Sequence, residues 1–134
     1  MTAPSSVWFI TGCSSGLGRA LASRALARGD RLIATARQPE QLDYLVAAYP
    51  ETCRALALGV TNSEQVKSVI AQAASAFDRL DVVVNNAGFG LVGAFEELGV
   101  EQIARNFDTN LFGALAVIRA VLPILRARSK AVTS

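Results

Sequence analysis

The chain has 134 residues, 51% of them hydrophobic and 18% charged, a composition typical of one compact soluble domain and not of a disordered segment. It contains no histidine and only two cysteines, which excludes histidine-based catalytic triads and zinc sites built from His and Cys clusters, so no metal site is expected. A net charge of +2 is too small to indicate a nucleic acid partner.

Neither a signal peptide nor a membrane span is expected. Residues 1–6 lack basic residues and an apolar run, and the apolar stretch at residues 111–125 is interrupted by Arg119 and Pro123. We therefore predict a cytoplasmic protein. Cys13 and Cys53 are predicted to be free thiols, because the layout below separates them by a strand length of ~17 Å.

The apolar pattern predicts four strands that alternate with four helices. The predicted strands cover residues 7–11, 31–36, 53–60 and 80–85. The predicted helices cover residues 17–28, 39–49, 61–77 and 103–125, and Pro123 is expected to bend the last one. Leu17, Leu21, Ala25 and Leu26 are expected on the apolar face of the first helix, and Leu115, Ile118, Leu122 and Leu125 on that of the last.

This alternation predicts an α/β fold with a Rossmann-like, doubly wound parallel sheet. Such nucleotide-binding folds usually contain two halves, and residues 1–134 account for about one, so an incomplete sheet of four to five strands is expected. The fourth strand would keep one full neighbour and the stub at residues 131–134. Its exposed edge is therefore a candidate surface for self-association.

A loop of small residues joins the first predicted strand to the first predicted helix. It reads Thr11-Gly12-Cys13-Ser14-Ser15-Gly16-Leu17-Gly18, and its glycines allow backbone N–H groups and the positive helix end to face a phosphate. Spaced glycines alone would more often form an ordinary tight turn, but the order of strand, glycines and helix favours nucleotide binding. The Walker alternative is excluded because no Gly-Lys-Ser/Thr ending occurs.

With these residues the chain resembles the short-chain dehydrogenase/reductase family. The family's T-G-x-x-x-G-x-G loop is matched here, Asn85-Asn86-Ala87-Gly88 resembles its N-N-A-G motif, and Asn110 resembles the asparagine of its catalytic tetrad. The resemblance covers essentially the whole chain but only the N-terminal half of a family member. It implies that the dinucleotide contacts Thr11, Gly12, Ser14, Ser15, Gly16, Leu17, Gly18, Asn86, Ala87 and Gly88. A structural turn is the alternative for residues 85–88, and a surface or capping residue is the alternative for Asn110.

The end of the second predicted strand bears on the choice of cofactor. An acid there would bind the ribose 2′-OH of NAD(H), but Ala36 and Arg37 occupy the place. Because an arginine can neutralise a 2′-phosphate, NADP(H) is favoured over NAD(H), and a solvated loop arginine is the alternative. Some NADP-using relatives carry a second basic residue at the position of Ser15.

Two departures from the family pattern bear on function. Gly59 stands where the family usually has an aspartate associated with the adenine ring. The family's chemistry also needs a Tyr with a Lys four residues later, whereas Tyr44 and Tyr49 have Ala48 and Cys53 at that spacing. Ser134 is the candidate for the family's substrate-binding serine, although its segment is shorter than usual.

The resemblance thus implies the NADP(H)-binding part of an alcohol or carbonyl oxidoreductase, truncated before its catalytic Tyr and Lys and inactive alone. The alternative is a non-enzymatic dinucleotide-binding module, or the partner of a separate second half.

Overall fold

A computed structural model describes residues 5–59, 63–86, 101, 113–128 and 132–133 of the chain. Within these ranges, strands and helices alternate along the sequence as predicted. The strands are β1 (Val7–Ile10), β2 (Arg31–Ala36), β3 (Cys53–Ala57), β4 (Val82–Val84) and β5 (Val132–Thr133). The helices are α1 (Gly16–Ala27), α2 (Asp43–Ala48), α3 (Ser63–Ala76) and α4 (Ala114–Arg128), and a 3₁₀ helix (Pro39–Leu42) precedes α2.

The five described strands form one parallel sheet in the order β3-β2-β1-β4-β5. Phe9 at the centre of β1 lies beside Ile33 of β2 on one side and Val83 of β4 on the other. The strand order reverses between β1 and β4, and in such sheets this crevice at the carboxyl ends of the strands is where ligands bind. The α/β, Rossmann-like fold predicted from the sequence is confirmed.

Helices cover both faces of the sheet, which explains why its strands are apolar without alternation. On one face, α3 and α4 bury a cluster that includes Val69, Ile70, Val83, Val117 and Val121. On the other face, α1 and α2 bury a second cluster. It includes both cysteines, which are buried free thiols as predicted. Cys53 pairs with Leu32 and Cys13 bonds Thr35, so the two cysteines are offset by three positions, about 10 Å, along β2.

Several element boundaries differ from the prediction. The segment predicted as one helix at residues 39–49 begins with a 3₁₀ turn, in which the Gln41 N–H donates to the Gln38 carbonyl at 3.0 Å, and becomes α-helical only at Asp43. β3 and β4 are shorter than predicted. β4 ends at Val84 because the next two side chains, Asn85 and Asn86, bond other segments.

The predicted apolar faces of two helices are corrected by the structure. In α1, Ala25 and Leu26 are buried and Leu21 packs against the same cluster, as predicted, but Leu17 is 73% exposed, and Gly18 and Ala22 face inward in its place. α4 buries Leu125 as predicted, but buries Val117 and Val121 with it and leaves Leu115 half-exposed on its outer side. In both helices the close contacts with the sheet select a face that the apolar spacing alone does not identify.

The amino-terminal edge of the sheet is held by a buried carboxylate. Asp81 accepts a hydrogen bond from the Val7 N–H at 2.9 Å and another from Arg79 Nε at 2.8 Å. These bonds fix β1 against the start of β4, at the edge opposite the glycine loop.

Two further properties concern the described residues alone. None of their helices combines the length and the hydropathy needed to span a lipid bilayer. Within the same ranges, no three Cys, Asp or Glu side chains come together as a set of metal ligands.

Candidate dinucleotide site

The candidate site begins in the loop between β1 and α1, at the carboxyl edge of the sheet. Gly12 and Gly16 have φ angles of +68° and +59°, a conformation that side chains with a Cβ adopt only at a cost. The backbone conformation of the loop therefore requires glycine at positions 12 and 16.

Thr11 fixes the start of the loop to β4. Its N–H donates to the Val84 carbonyl at 3.1 Å, and its hydroxyl oxygen accepts a hydrogen bond from the Asn86 N–H at 2.9 Å. The loop and the end of β4 consequently hold a fixed position relative to each other.

Gly18 permits the close approach of three segments. A Cβ built on this glycine would overlap the Gly12 carbonyl oxygen and the Asn86 side-chain nitrogen, and it would lie 3.0 Å from the Gly12 carbonyl carbon. Asn86 Nδ2 donates to that same carbonyl oxygen at 3.1 Å. Helix α1 can therefore start against the loop only because residue 18 has no side chain.

The first turn of α1 faces open space at Gly16, where a Cβ would meet nothing within 4 Å. Ser15 occupies the N-cap but makes no capping side-chain hydrogen bond, and the first turn contains no acidic residue. The first N–H groups of a helix have no partner within the helix, and they carry the positive end of its dipole. This donor set fits the pyrophosphate of a dinucleotide.

Cys13 ties the loop to β2. Its N–H donates to the Thr35 carbonyl at 2.9 Å, and the Thr35 hydroxyl donates to the Ile10 carbonyl at 3.4 Å. Burial raises the pKa of the Cys13 thiol to about 12, so the thiol is protonated at neutral pH and acts as a packing group, not as a nucleophile. Thr35 was not predicted as part of the site; the signal for it is a polar residue within an otherwise apolar strand.

The ends of β2 and β3 extend the same edge. Arg37 follows directly after β2 and its side chain is exposed. The Leu58 N–H donates to the Ala36 carbonyl at 3.0 Å, which continues the strand pairing up to Gly59. The Gly59 N–H donates to Gln65 Oε1 of α3 at 2.8 Å.

The structure brings most of the predicted site residues to one edge of the sheet. Thr11, Gly12, Gly18 and Asn86 are in direct contact, and Ser14, Ser15, Gly16 and Leu17 lie in or beside the same loop. Ala87, Gly88, Asn110 and Ser134 lie outside the described residues. The roles of all these residues in binding or catalysis stay predictions.

Known proteins with similar sequences and structures include short-chain dehydrogenases. The sequence model of the family described as short chain dehydrogenase matches residues 6–132. Oxidoreductase BOA17 of Botryotinia fuckeliana is 46% identical over 121 residues, which cover 90% of this chain and 44% of that protein. A short-chain dehydrogenase from Streptomyces avermitilis superposes with a TM-score of 0.92 at 45% identity, covering 98% of this chain and 48% of that one.

Solved structures of similar fold contain nicotinamide dinucleotides. A 3-ketoacyl-(acyl-carrier-protein) reductase from Brucella melitensis, complexed with NADH, has a TM-score of 0.87 at 25% identity and covers 92% of this chain and 51% of that one. ElxO, with NADP bound, has a TM-score of 0.86 at 27% identity, covering 96% of this chain and 54% of that one. The chain spans about half the length of these proteins. The chain belongs to the short-chain dehydrogenase family.

Proposed function

We propose that the chain is the NADP(H)-binding part of an oxidoreductase that acts on an alcohol or carbonyl substrate. The observation that carries this proposal is the open first turn of α1, where Gly16 faces free space and no side chain caps the helix. Backbone N–H groups there would hold the pyrophosphate, and the loop positions them through its bonds to β2 and β4.

Arg37 supports a preference for NADP(H) over NAD(H). It is exposed at the end of β2, next to the glycine loop that follows β1, and it would meet the ribose of a dinucleotide bound across this edge. A guanidinium binds a 2′-phosphate well and gives no acceptor to a ribose 2′-OH. Relatives with NADH or NADP bound are both known, so family membership alone does not choose between the cofactors.

Binding of the cofactor would supply the hydride, but turnover also needs a proton donor. Of the tyrosines, Tyr44 and Tyr49, neither has a lysine four residues later. Burial raises the pKa of Tyr44 above its ordinary value of 10.0, which is opposite to the shift that a proton donor at neutral pH requires. We therefore expect no turnover by this chain alone, and Asn110 and Ser134 remain proposed participants in a complete site.

A second candidate function rests on the glycine loop alone, whose geometry suits dinucleotide binding with or without catalysis. The chain would then be a dinucleotide-binding module without its own catalysis, or the partner of a separate second half. Adding a polypeptide that carries Tyr-x-x-x-Lys discriminates the two functions: the enzyme part gains NADPH-dependent turnover, and the binding module does not. A cytoplasmic location stays a prediction.

The experiment that tests the cofactor assignment is a fluorescence titration of the chain with NADPH and with NADH. We expect tighter binding of NADPH, a loss of that preference in Arg37→Ala, and a preference for NADH in Arg37→Asp, because a carboxylate accepts hydrogen bonds from the 2′-OH. Arg54→Ala is the matched control, since Arg54 is an exposed arginine on β3 whose side chain bonds the Pro50 carbonyl. An unchanged NADPH affinity in Arg37→Ala would contradict the assignment.

A further inference from the structure

Arg19 lies in the first turn of α1, close to the glycine loop. Its N–H donates to the Ser15 carbonyl at 3.3 Å, so the two residues are one helical turn apart on the same side of the helix. Helical side chains lean toward the N-terminus and cover the preceding turn. Helix geometry therefore favours an Arg19 side chain that extends toward the turn at Ser15.

The ring of Tyr44 on α2 holds this guanidinium. The Arg19 Cζ atom lies 4.4 Å from the ring centroid, a cation–π distance. The Arg19 charge also acts on the phenol, since it lowers the Tyr44 pKa against the larger, opposing effect of burial. The helix α2 follows β2 through Arg37 and the 3₁₀ helix, so the stack joins the start of α1 to the segment that follows Arg37.

Stacking leaves the edge of the Arg19 guanidinium available. An aromatic ring contacts the flat face of the group, whereas its N–H donors point outward in the plane. Among the described residues Arg19 makes no ion pair, its side chain is exposed, and the first turn of α1 contains no acid that could neutralise it. A cation held in this way, with its donors free, is suited to a phosphate group.

We propose that Arg19 is a second cationic contact for the 2′-phosphate of the adenosine, beside Arg37, and that Tyr44 is the positioning residue that holds it there. This inference rests on the proposed function, since it requires the dinucleotide to lie along the glycine loop with its adenosine ribose at the end of β2. It assigns the choice of NADP over NAD to two arginines that come from different elements of the fold.

The test uses two ligands that differ only in the phosphate concerned, 2′,5′-ADP and 5′-AMP, measured by calorimetry on the chain itself. In Arg19→Ala we expect about a tenfold loss of affinity for 2′,5′-ADP, the value of one charge-assisted hydrogen bond, and less than a twofold change for 5′-AMP. Arg19→Lys should keep part of the affinity for 2′,5′-ADP. Arg24→Ala, which removes another exposed arginine further along α1, is the matched control and should change neither affinity.

Tyr44 is tested with the same pair of ligands. Tyr44→Leu removes the ring and should weaken 2′,5′-ADP about threefold, whereas Tyr44→Phe keeps the ring and should bind as the unaltered chain does. A merely structural role for Tyr44 would weaken both ligands together. Circular dichroism of each variant shows that the fold is retained.

Different results overturn the inference and the proposed function. If Arg37→Ala abolishes discrimination between the two ligands while Arg19→Ala retains it, the NADP(H) assignment stands and the role of Arg19 is wrong. If Arg19→Ala weakens both ligands equally, Arg19 does not contact the 2′-phosphate. If the unaltered chain binds 2′,5′-ADP no more tightly than 5′-AMP, the NADP(H) preference is wrong, and the inference is wrong with it.

Discussion

The contact at Gly18 allows the structure of the loop to be tested separately from its ability to bind. Gly18→Ala places a methyl group against the Gly12 carbonyl and the Asn86 amide, neither of which can move without breaking their 3.1 Å hydrogen bond. Overpacking of this kind costs up to about 3 kcal/mol, and the lost hydrogen bond adds about 1 kcal/mol. The better helix propensity of alanine returns about 1 kcal/mol. The expected loss in the free energy of unfolding is therefore about 3 kcal/mol.

Gly16→Ala should lower the affinity for NADPH more than it lowers the stability of the fold. A Cβ at this position meets nothing within 4 Å, so the stability cost is limited to the left-handed backbone at φ +59°, about 1–2 kcal/mol. The methyl group would nevertheless occupy the open space where the pyrophosphate is proposed to lie, and we expect NADPH affinity to fall more than tenfold. Gly29→Ala is the control, because Gly29 also has a positive φ and open surroundings but lies at the other end of α1.

The assays are urea unfolding and fluorescence titration with NADPH. A loss of 3 kcal/mol corresponds to a Tm lower by roughly 10 °C for a chain of this size, which is readily measured. The reasoning is refuted if Gly18→Ala unfolds within 1 kcal/mol of the unaltered chain. It is also refuted if Gly16→Ala binds NADPH no more weakly than Gly29→Ala does.

Three further outcomes are expected. Gly59→Asp should tighten binding of both NADPH and NADH a few-fold, because the carboxylate restores an acceptor for the adenine. A Cβ at residue 59 has room, since its nearest neighbour is Gln65 Oε1 at 3.5 Å. Unchanged affinities would contradict this prediction. The folded-state pKa of Cys13 is raised from 9.0 to about 12, so its stabilising effect is complete below pH 9 and is lost between pH 9 and 12, at about 1.4 kcal/mol per pH unit. Cys13→Ala should therefore reduce the slope of the free energy of unfolding, measured with urea, against pH over that range, and an unchanged slope would contradict this. Leu115→Glu should reduce any self-association seen by light scattering, because it charges the half-exposed outer side of α4. Leu17→Glu, at another exposed leucine, should not reduce it. Equal scattering from both variants would exclude α4 as the surface of self-association.

Local sequence signals were sufficient to predict the structure where one residue type determines the backbone conformation. The bounds of β2 were predicted without error because Gly29 ends the preceding helix and Pro39 begins the following turn. The left-handed conformations at Gly12 and Gly16 were likewise implied by their spacing between a strand and a helix.

The apolar faces of α1 and α4 were predicted only in part, for a different reason: Ala25, Leu26 and Leu125 are buried as expected, but Leu17 and Leu115 are exposed. In α4 both sides are apolar, with Leu115, Ile118 and Leu122 on one and Val117 and Val121 on the other, so periodicity gives no unique answer. The sheet decides, since the valines pack into the cluster that contains Val83. In α1 the decision comes from Gly18, whose contact with the loop turns Leu17 outward.

The bonds that shape the loop come from tertiary structure and were only partly foreseen. Asn86 was expected to contact the dinucleotide, but its side-chain bond to the Gly12 carbonyl joins residues 74 positions apart and depends on the pairing of β1 with β4. The bond from the Cys13 N–H to the Thr35 carbonyl depends in the same way on the pairing of β1 with β2. No pattern within the loop itself carries this information.

In the proposed function, cofactor binding and catalysis depend on different parts of the structure. The hydrogen bonds described above join the glycine loop to Thr35 of β2, to Val84 of β4 and to Asn86 just after β4. The loop is therefore preorganised by the sheet and by Asn86. A proton donor poised near neutral pH is a separate requirement, which neither Tyr44 nor Tyr49 meets by sequence spacing. Supplying a donor in a second polypeptide should consequently raise turnover from background while changing the Kd for NADPH much less.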